Sequence, residues 1–189
     1  MKTIIAIILI SLALTGCQGF AYQKELIDNY YLVASDDYEQ MSLSYNNSDG
    51  GGNFSHLVLQ TVFEAKWNDR FIVIKTHPQN LRESLKYSFG LQYSSKIGPS
   101  NNFAEDDSLV KIEVEKFMAS RNIYGNNKYK YKVTLYYLLD TQKQGQTTIV
   151  FLTEEELNKA MEEKHIGKLI YTQYFEDLDK IDKQELTAP

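Results

Sequence analysis

Hydrophobic and polar positions alternate along much of this chain, in short runs separated by Asn, Asp and Gly. Asn29–Ala34 (NYYLVA) is rich in β-formers and predicts a strand, and Met41–Tyr45 predicts another. Asn46–Asn53 holds Asn, Ser, Asp and three glycines, which predicts a loop. Beyond it Leu57, Leu59, Phe63, Ala65 and Trp67 share one phase of a period of two, with Gln60, Glu64 and Lys66 on the other. Asn68-Asp69 turns the chain into Phe71–Thr76, so 57–76 predicts a β-hairpin closed by His77-Pro78. Leu81 and Leu85 fall on one face of a short helix over 79–88, and 94–107 reads as a loop. Residues 109–118 set Val110, Ile112, Val114 and Met118 against Lys111, Glu113 and Glu115, a half-buried strand. A turn at 125–127 leads to 129–140, with Tyr129, Tyr131, Val133, Leu135, Tyr137 and Leu139 on one face; 147–152 is a further strand.

Thr153-Glu154-Glu155-Glu156 has the form of a capping box. The Thr153 hydroxyl can accept from the N3 amide, Glu156 can reach back, and three acids complement the positive end of the helix dipole. Leu157, Ala160 and Met161 supply an apolar stripe, so 154–164 predicts a helix, with Gly167 suiting its stop. Residues 168–175 fit strand or helix equally, and Glu176–Pro189 is polar and predicted to fray. Many strands and few helices predict an α+β fold: a twisted, mostly antiparallel β-sheet with one packed helix at about 154–164.

The N-terminus departs from this pattern. Lys2 precedes an apolar core of 11 residues from Ile4 to Leu14, followed by Thr15, Gly16 and Cys17, which has the form of a secretory signal. Eleven helical residues at ~1.5 Å each span about 16 Å, against roughly 30 Å of hydrocarbon, which disfavours a permanent membrane span. Leu14-Thr15-Gly16-Cys17 resembles the bacterial lipobox. That resemblance implies cleavage between Gly16 and Cys17 and diacylation of Cys17, with palmitate among the chains expected. A single acyl chain holds only marginally, whereas two anchor stably. The expected organisation is a signal peptide over 1–16, a lipidated cysteine and tether over 17–28, one domain over 29–178 and a polar tail over 179–189. Gln18 after the cysteine resembles lipoproteins sent to the outer membrane of a two-membrane cell. In a one-membrane cell the plasma membrane is expected.

Two further stretches resemble a family of small bacterial lipoproteins known only as a domain of unknown function. One runs through Asn29-Tyr30-Tyr31-Leu32 and the hairpin with Trp67-Asn68-Asp69-Arg70-Phe71-Ile72-Val73-Ile74-Lys75. The other joins Tyr136-Tyr137-Leu138-Leu139-Asp140 to Leu152-Thr153-Glu154-Glu155-Glu156-Leu157. Together they cover about half the chain; 79–128 matches poorly and reads as an insertion. The resemblance implies an envelope lipoprotein and lends no catalytic or binding residues.

Composition narrows the chemistry. The 189 residues carry 20 basic and 25 acidic side chains, and a net charge of −5 lacks the basic footprint of a general nucleic-acid binder. Cys17 is the only cysteine, so there is no internal disulfide, and its acylation would leave no thiol for zinc or nucleophilic chemistry. His56, His77 and His165 stand apart in sequence and read as surface or edge residues. The Asn46–Asn53 loop offers oxygens but lacks the Glu an EF-hand needs, since His56 stands there. Glu105-Asp106-Asp107 reads as a solvated loop, and the triple glycine lacks the Lys-Ser/Thr of a phosphate loop. No catalytic, metal or cofactor residues are assigned.

Fourteen tyrosines remain to be accounted for. Tyr129, Tyr131, Tyr136 and Tyr137 cluster on one predicted strand and form a candidate binding surface, because broad, rigid, amphipathic rings suit protein or carbohydrate recognition. The expectation is a non-enzymatic envelope lipoprotein, held to the membrane by Cys17 and binding an envelope protein or cell-wall glycan. Two alternatives are an envelope-polymer hydrolase using a carboxylate pair and an immunity-type inhibitor of an envelope toxin.

Overall fold

The computed structural model describes residues 20–47, 53–59, 61–78, 80–97, 103–120, 133–142 and 148–185. The fold is α+β, but it holds two antiparallel sheets where one was expected. The first is a meander of β1 (Tyr22–Ile27), β2 (Tyr30–Ala34), β3 (Ser42–Asn46) and β4 (Phe54–Val58), in that order. The second runs β8-β7-β6-β5-β9, built from β5 (Val62–Trp67), β6 (Phe71–Thr76), β7 (Leu135–Asp140), β8 (Thr148–Phe151) and β9 (Tyr171–Tyr174). Four α-helices accompany them among the described residues, not one: α1 (Leu81–Ile97), α2 (Phe103–Ser120), α3 (Glu154–Glu163) and α4 (Glu176–Glu185), with a 3-10 turn at Tyr38–Gln40.

Local chemistry sets the turns. Ile27 pairs with Tyr30, and between them Asp28 and Asn29 have φ of 41° and 69°. Two left-handed residues make the primed turn whose twist suits a hairpin, and Asn and Asp tolerate that region better than most. This hairpin places a strand at Tyr22–Ile27, within the segment expected to be a tether. In the β5–β6 turn the Asn68 side-chain oxygen accepts from the Arg70 and Phe71 amides at 3.0 and 2.9 Å. Arg70 then forks onto Asp140 of β7 at 2.9 and 2.8 Å.

The two sheets share one core. Leu32 and Leu43 of the meander belong to the same buried cluster as Ala65, Trp67, Ile74 and Leu139 of the second sheet. Leu57 and Val58 are consecutive and both buried, which marks the chain passing from one sheet to the other. The expected hairpin over 57–76 therefore divides: Leu57 lies in β4, and only Val62–Thr76 forms the hairpin. The outer face of the second sheet is covered by α3, where Leu157 packs on Val73 and Leu138. Thr153 caps α3, accepting from the Glu156 amide at 3.2 Å, while Glu156 reaches back to the Leu152 amide at 3.2 Å.

The segment 109–118 is helical, which corrects the expected strand. Val110, Val114 and Met118 are buried at intervals of four, a spacing that fits both periods. Ile112 decides between them: a strand would bury it with the other three, and it is 48% exposed. Residues 94–97 and 103–107, expected as loop, likewise belong to α1 and α2, which carries Glu105-Asp106-Asp107 into a helix. The α1–α2 pair links neighbouring strands β6 and β7 and adds Leu81, Leu85, Val110 and Val114 to the core. The predicted fraying tail is helical over Glu176–Glu185, held by buried Leu178. No described helix is long and apolar enough to cross a membrane.

Candidate binding surface

Gly16 and Cys17 lie outside the described residues, as do Tyr129 and Tyr131. Tyr136 and Tyr137 are both on β7 but point to opposite faces, as successive strand residues must. Tyr137 is 1% exposed in the shared core, its oxygen accepting from Ser88 of α1 at 3.4 Å, and burial pushes its hydroxyl pKa up to about 12. Tyr136 is half-buried on the outer face, with the Lys75 ammonium 5.7 Å from its ring. Of the expected tyrosine surface, Tyr137 is thus buried in the larger core cluster and Tyr136 is half-buried against the cluster that holds Leu157 of α3.

Beside Tyr136 lies a charge network. Glu64 bridges Lys66 at 2.6 Å and Lys75 at 2.9 Å, and Lys75 also reaches Glu154 at 2.9 Å. Burial acts to raise the Glu64 pKa, and its bonds to Lys66 and Lys75 outweigh that and hold it below the usual carboxylate range. The network ties the first turn of α3 to β5 and β6.

The histidines divide three ways. His77 is buried, which corrects its expected surface position; it stacks on Phe63 with centroids 4.2 Å apart and meets Asp179 of α4 at 3.1 Å. His56 is exposed on β4, its Nδ1 3.0 Å from both Ser42 and Ser44 hydroxyls. A serine beside a histidine is the start of nucleophilic chemistry. Here both serines are closed off from solvent, so the contact cross-links β3 and β4 rather than arming a nucleophile. His165 ends α3 in the left-handed region, with φ of 52°.

Exposed apolar side chains collect instead along the flank where the free edges of β1 and β9 lie together. Lys24 of β1 donates to Gln173 of β9 at 2.7 Å and sits 5.5 Å from the Trp67 ring. Tyr171 stacks on Trp67 at 5.5 Å and is 50% exposed. Tyr174, 47% exposed, packs edge-on to Phe63 and donates its hydroxyl to Asp179 at 2.8 Å, the first cause of its raised pKa. Tyr22 lies between exposed Tyr38 and half-buried Phe175, at 5.6 and 5.3 Å. Ile170 completes the strip at 57% exposure. Sequence reading left 168–175 undecided and so missed the strip; the pattern Tyr-x-x-Tyr with Thr and Gln between is its only local signal.

Chemically the flank offers aromatic faces, the Lys24 ammonium, the Gln173 amide and the Asp179 carboxylate that Tyr174 and His77 hold. Broad aromatic faces beside an ammonium suit surface recognition. Among the described residues no group of three or more His, Cys, Asp or Glu could hold a metal ion. No family model, curated protein or solved structure matches the chain.

Proposed function

We propose that this chain is a lipid-anchored bacterial cell-envelope lipoprotein, and that its folded part is a non-enzymatic binding module working through the β1–β9 flank. The observation that carries the reading is the position of the sole cysteine. Cys17 closes an apolar signal core in the setting Leu-Thr-Gly-Cys. The resemblance of Asn29–Leu32, Trp67–Lys75, Tyr136–Asp140 and Leu152–Leu157 to small bacterial lipoproteins points the same way.

The fold supplies a consequence. The β1 strand begins five positions after Cys17, and an extended chain covers at most about 18 Å over that distance. An acylated Cys17 would therefore hold the flank close to the bilayer surface, and the partner is an envelope protein or cell-wall glycan lying within that layer. Gln18 favours the outer membrane in a two-membrane cell and leaves the plasma membrane in a one-membrane cell.

In-cell photo-crosslinking tests this reading. A photoreactive side chain at Tyr171 in the full chain is expected to capture one partner, and Cys17→Ala is expected to lose most of it. Equal capture with and without Cys17 would overturn the anchored-module reading. So would turnover of an envelope polymer that one polar substitution abolishes.

A further inference from the structure

The β1–β9 flank sorts its side chains by polarity along its length. Tyr22 meets Phe175 and Lys24 meets Gln173, so the two chain segments run antiparallel to each other across it. Strand residues alternate faces, which puts Tyr22 with Lys24 on one face of β1 and Tyr171, Gln173 and Phe175 together on one face of β9 and its continuation. The resulting row is Tyr38, Tyr22 with Phe175, Lys24 with Gln173, then Tyr171 on Trp67. Aromatic rings stand at both ends and hydrogen-bonding groups stand between them. Tyr171 and Phe175 are four positions apart, about 13 Å along an extended chain.

Area and charge limit what can lie on this row. Tyr38 and Tyr171 are 49% and 50% exposed. A ring that buries about 150–250 Å² in full offers about half of that here, and half-buried Tyr22 and Phe175 bring the aromatic surface to a few hundred Å². Each side of a standard protein interface contributes about 800 Å², so the row suits a narrow ligand better than a folded protein. Asp36, Asp37 and Glu39 are all exposed on either side of Tyr38. Three carboxylates against the Lys24 ammonium oppose a phosphate polymer or an anionic lipid surface, and they accept hydrogen bonds from hydroxyl groups.

We infer that the occupant of the flank is an uncharged glycan chain, laid along β1 and β9 from Tyr38 to Tyr171. A pyranose ring has an apolar C–H face and a rim of hydroxyls, so it takes aromatic faces and hydrogen-bonding groups in alternation, as the row presents them. Lys24 spends one of its three N–H groups on the Gln173 side-chain oxygen at 2.7 Å. Its other two, and the Gln173 NH₂, are donors for sugar hydroxyls or acetamido oxygens. Tyr171 lies stacked on Trp67, which is buried, so its ring is held in place before a ligand arrives and little ordering cost remains. The inference rests on reading the flank as the binding surface and names its occupant.

Trp67 is the only tryptophan of the chain and touches Tyr171, so its emission reports occupancy of the row. The full chain, held in a zwitterionic detergent, is titrated with two uncharged probes, a hexamer of β-linked N-acetylglucosamine and a hexamer of β-linked glucose. At least one is expected to shift Trp67 emission saturably. Tyr171→Ala and Tyr38→Ala should each weaken that binding roughly tenfold. Tyr171→Phe keeps a ring on Trp67 and should stay within about twofold of the unsubstituted chain, which separates lost stacking from lost folding. Ile112→Ala, at an exposed apolar position on α2, should leave binding unchanged. No saturable shift with either hexamer, or binding that Tyr171→Ala leaves intact, overturns the glycan. So does a shift produced only by micelles that contain an anionic phospholipid. If neither hexamer binds and a photoreactive group at Tyr171 still captures an envelope protein in cells, the flank survives as a binding surface while its proposed occupant falls. If it captures nothing as well, both readings fall.

Discussion

His165 and Glu64 show how much single positions decide. At the end of α3 the His165 amide bonds the Glu162 carbonyl and the Ile166 amide bonds the Met161 carbonyl, both at 2.9 Å. This is the glycine-type helix stop, built here with a histidine at φ of 52°. A side chain in the left-handed region costs about 1 kcal/mol. His165→Gly is expected to raise the unfolding free energy by about 0.5–1 kcal/mol in urea titration, and a β-branched substitution such as His165→Val to lower it. Glu64 carries a pH prediction. Its folded pKa lies below the ordinary value, so its contribution to stability is present above the unfolded carboxylate pKa and disappears as pH falls through the folded one. Acid unfolding curves of Glu64→Gln should lack that part of the fall between neutral pH and about pH 3. An unchanged acid limb would show that Lys66 and Lys75 do not hold the carboxylate in solution.

At the element scale the strongest local patterns carried through to the structure. The capping box at Thr153 opens α3, Asn68-Asp69 turns β5 into β6, and the β-rich runs at 30–34, 42–46 and 148–151 are strands. The misread segment is as informative. Apolar residues at 110, 114 and 118 satisfy both periods, so only the fate of Ile112 separates helix from strand, and no local rule fixes it. The helical assignment has a direct check. Ile112→Lys should change stability by less than about 0.5 kcal/mol, while Val114→Ala should cost about 2 kcal/mol. A strand would make the two comparably damaging. The short α4 escaped notice for a related reason: in Glu176-Asp177-Leu178-Asp179-Lys180 one buried leucine holds a polar helix to β5, too few apolar positions for a periodic signal. Tyr137 was legible as an inward strand residue. That inward meant a core shared with the meander, α1 and α2 follows only once those distant elements are placed.

For the whole molecule, the split into two sheets depends on contacts across the chain. The meander of β1–β4 follows from neighbouring strands, but the sheet of β5–β9 needs the distant pairings of β6 with β7 and β5 with β9, and the two sheets are joined by one core that holds Leu32, Leu43, Trp67 and Ile74. The β1–β9 flank exists only because the first and last strands of the described fold come to lie side by side, joined through Lys24 and Gln173. No window of sequence holds both halves of that surface. The proposed address, by contrast, is read locally, from residues 1–17. The central claim joins the two: a lipid on Cys17 holds this flank at a membrane. Its most direct test is the mass of the mature N-terminal peptide, released from the membrane fraction of cells making the full chain. The account predicts a peptide that begins at Cys17 and carries a diacylglyceryl group. A peptide beginning elsewhere, or an unmodified Cys17, would contradict it.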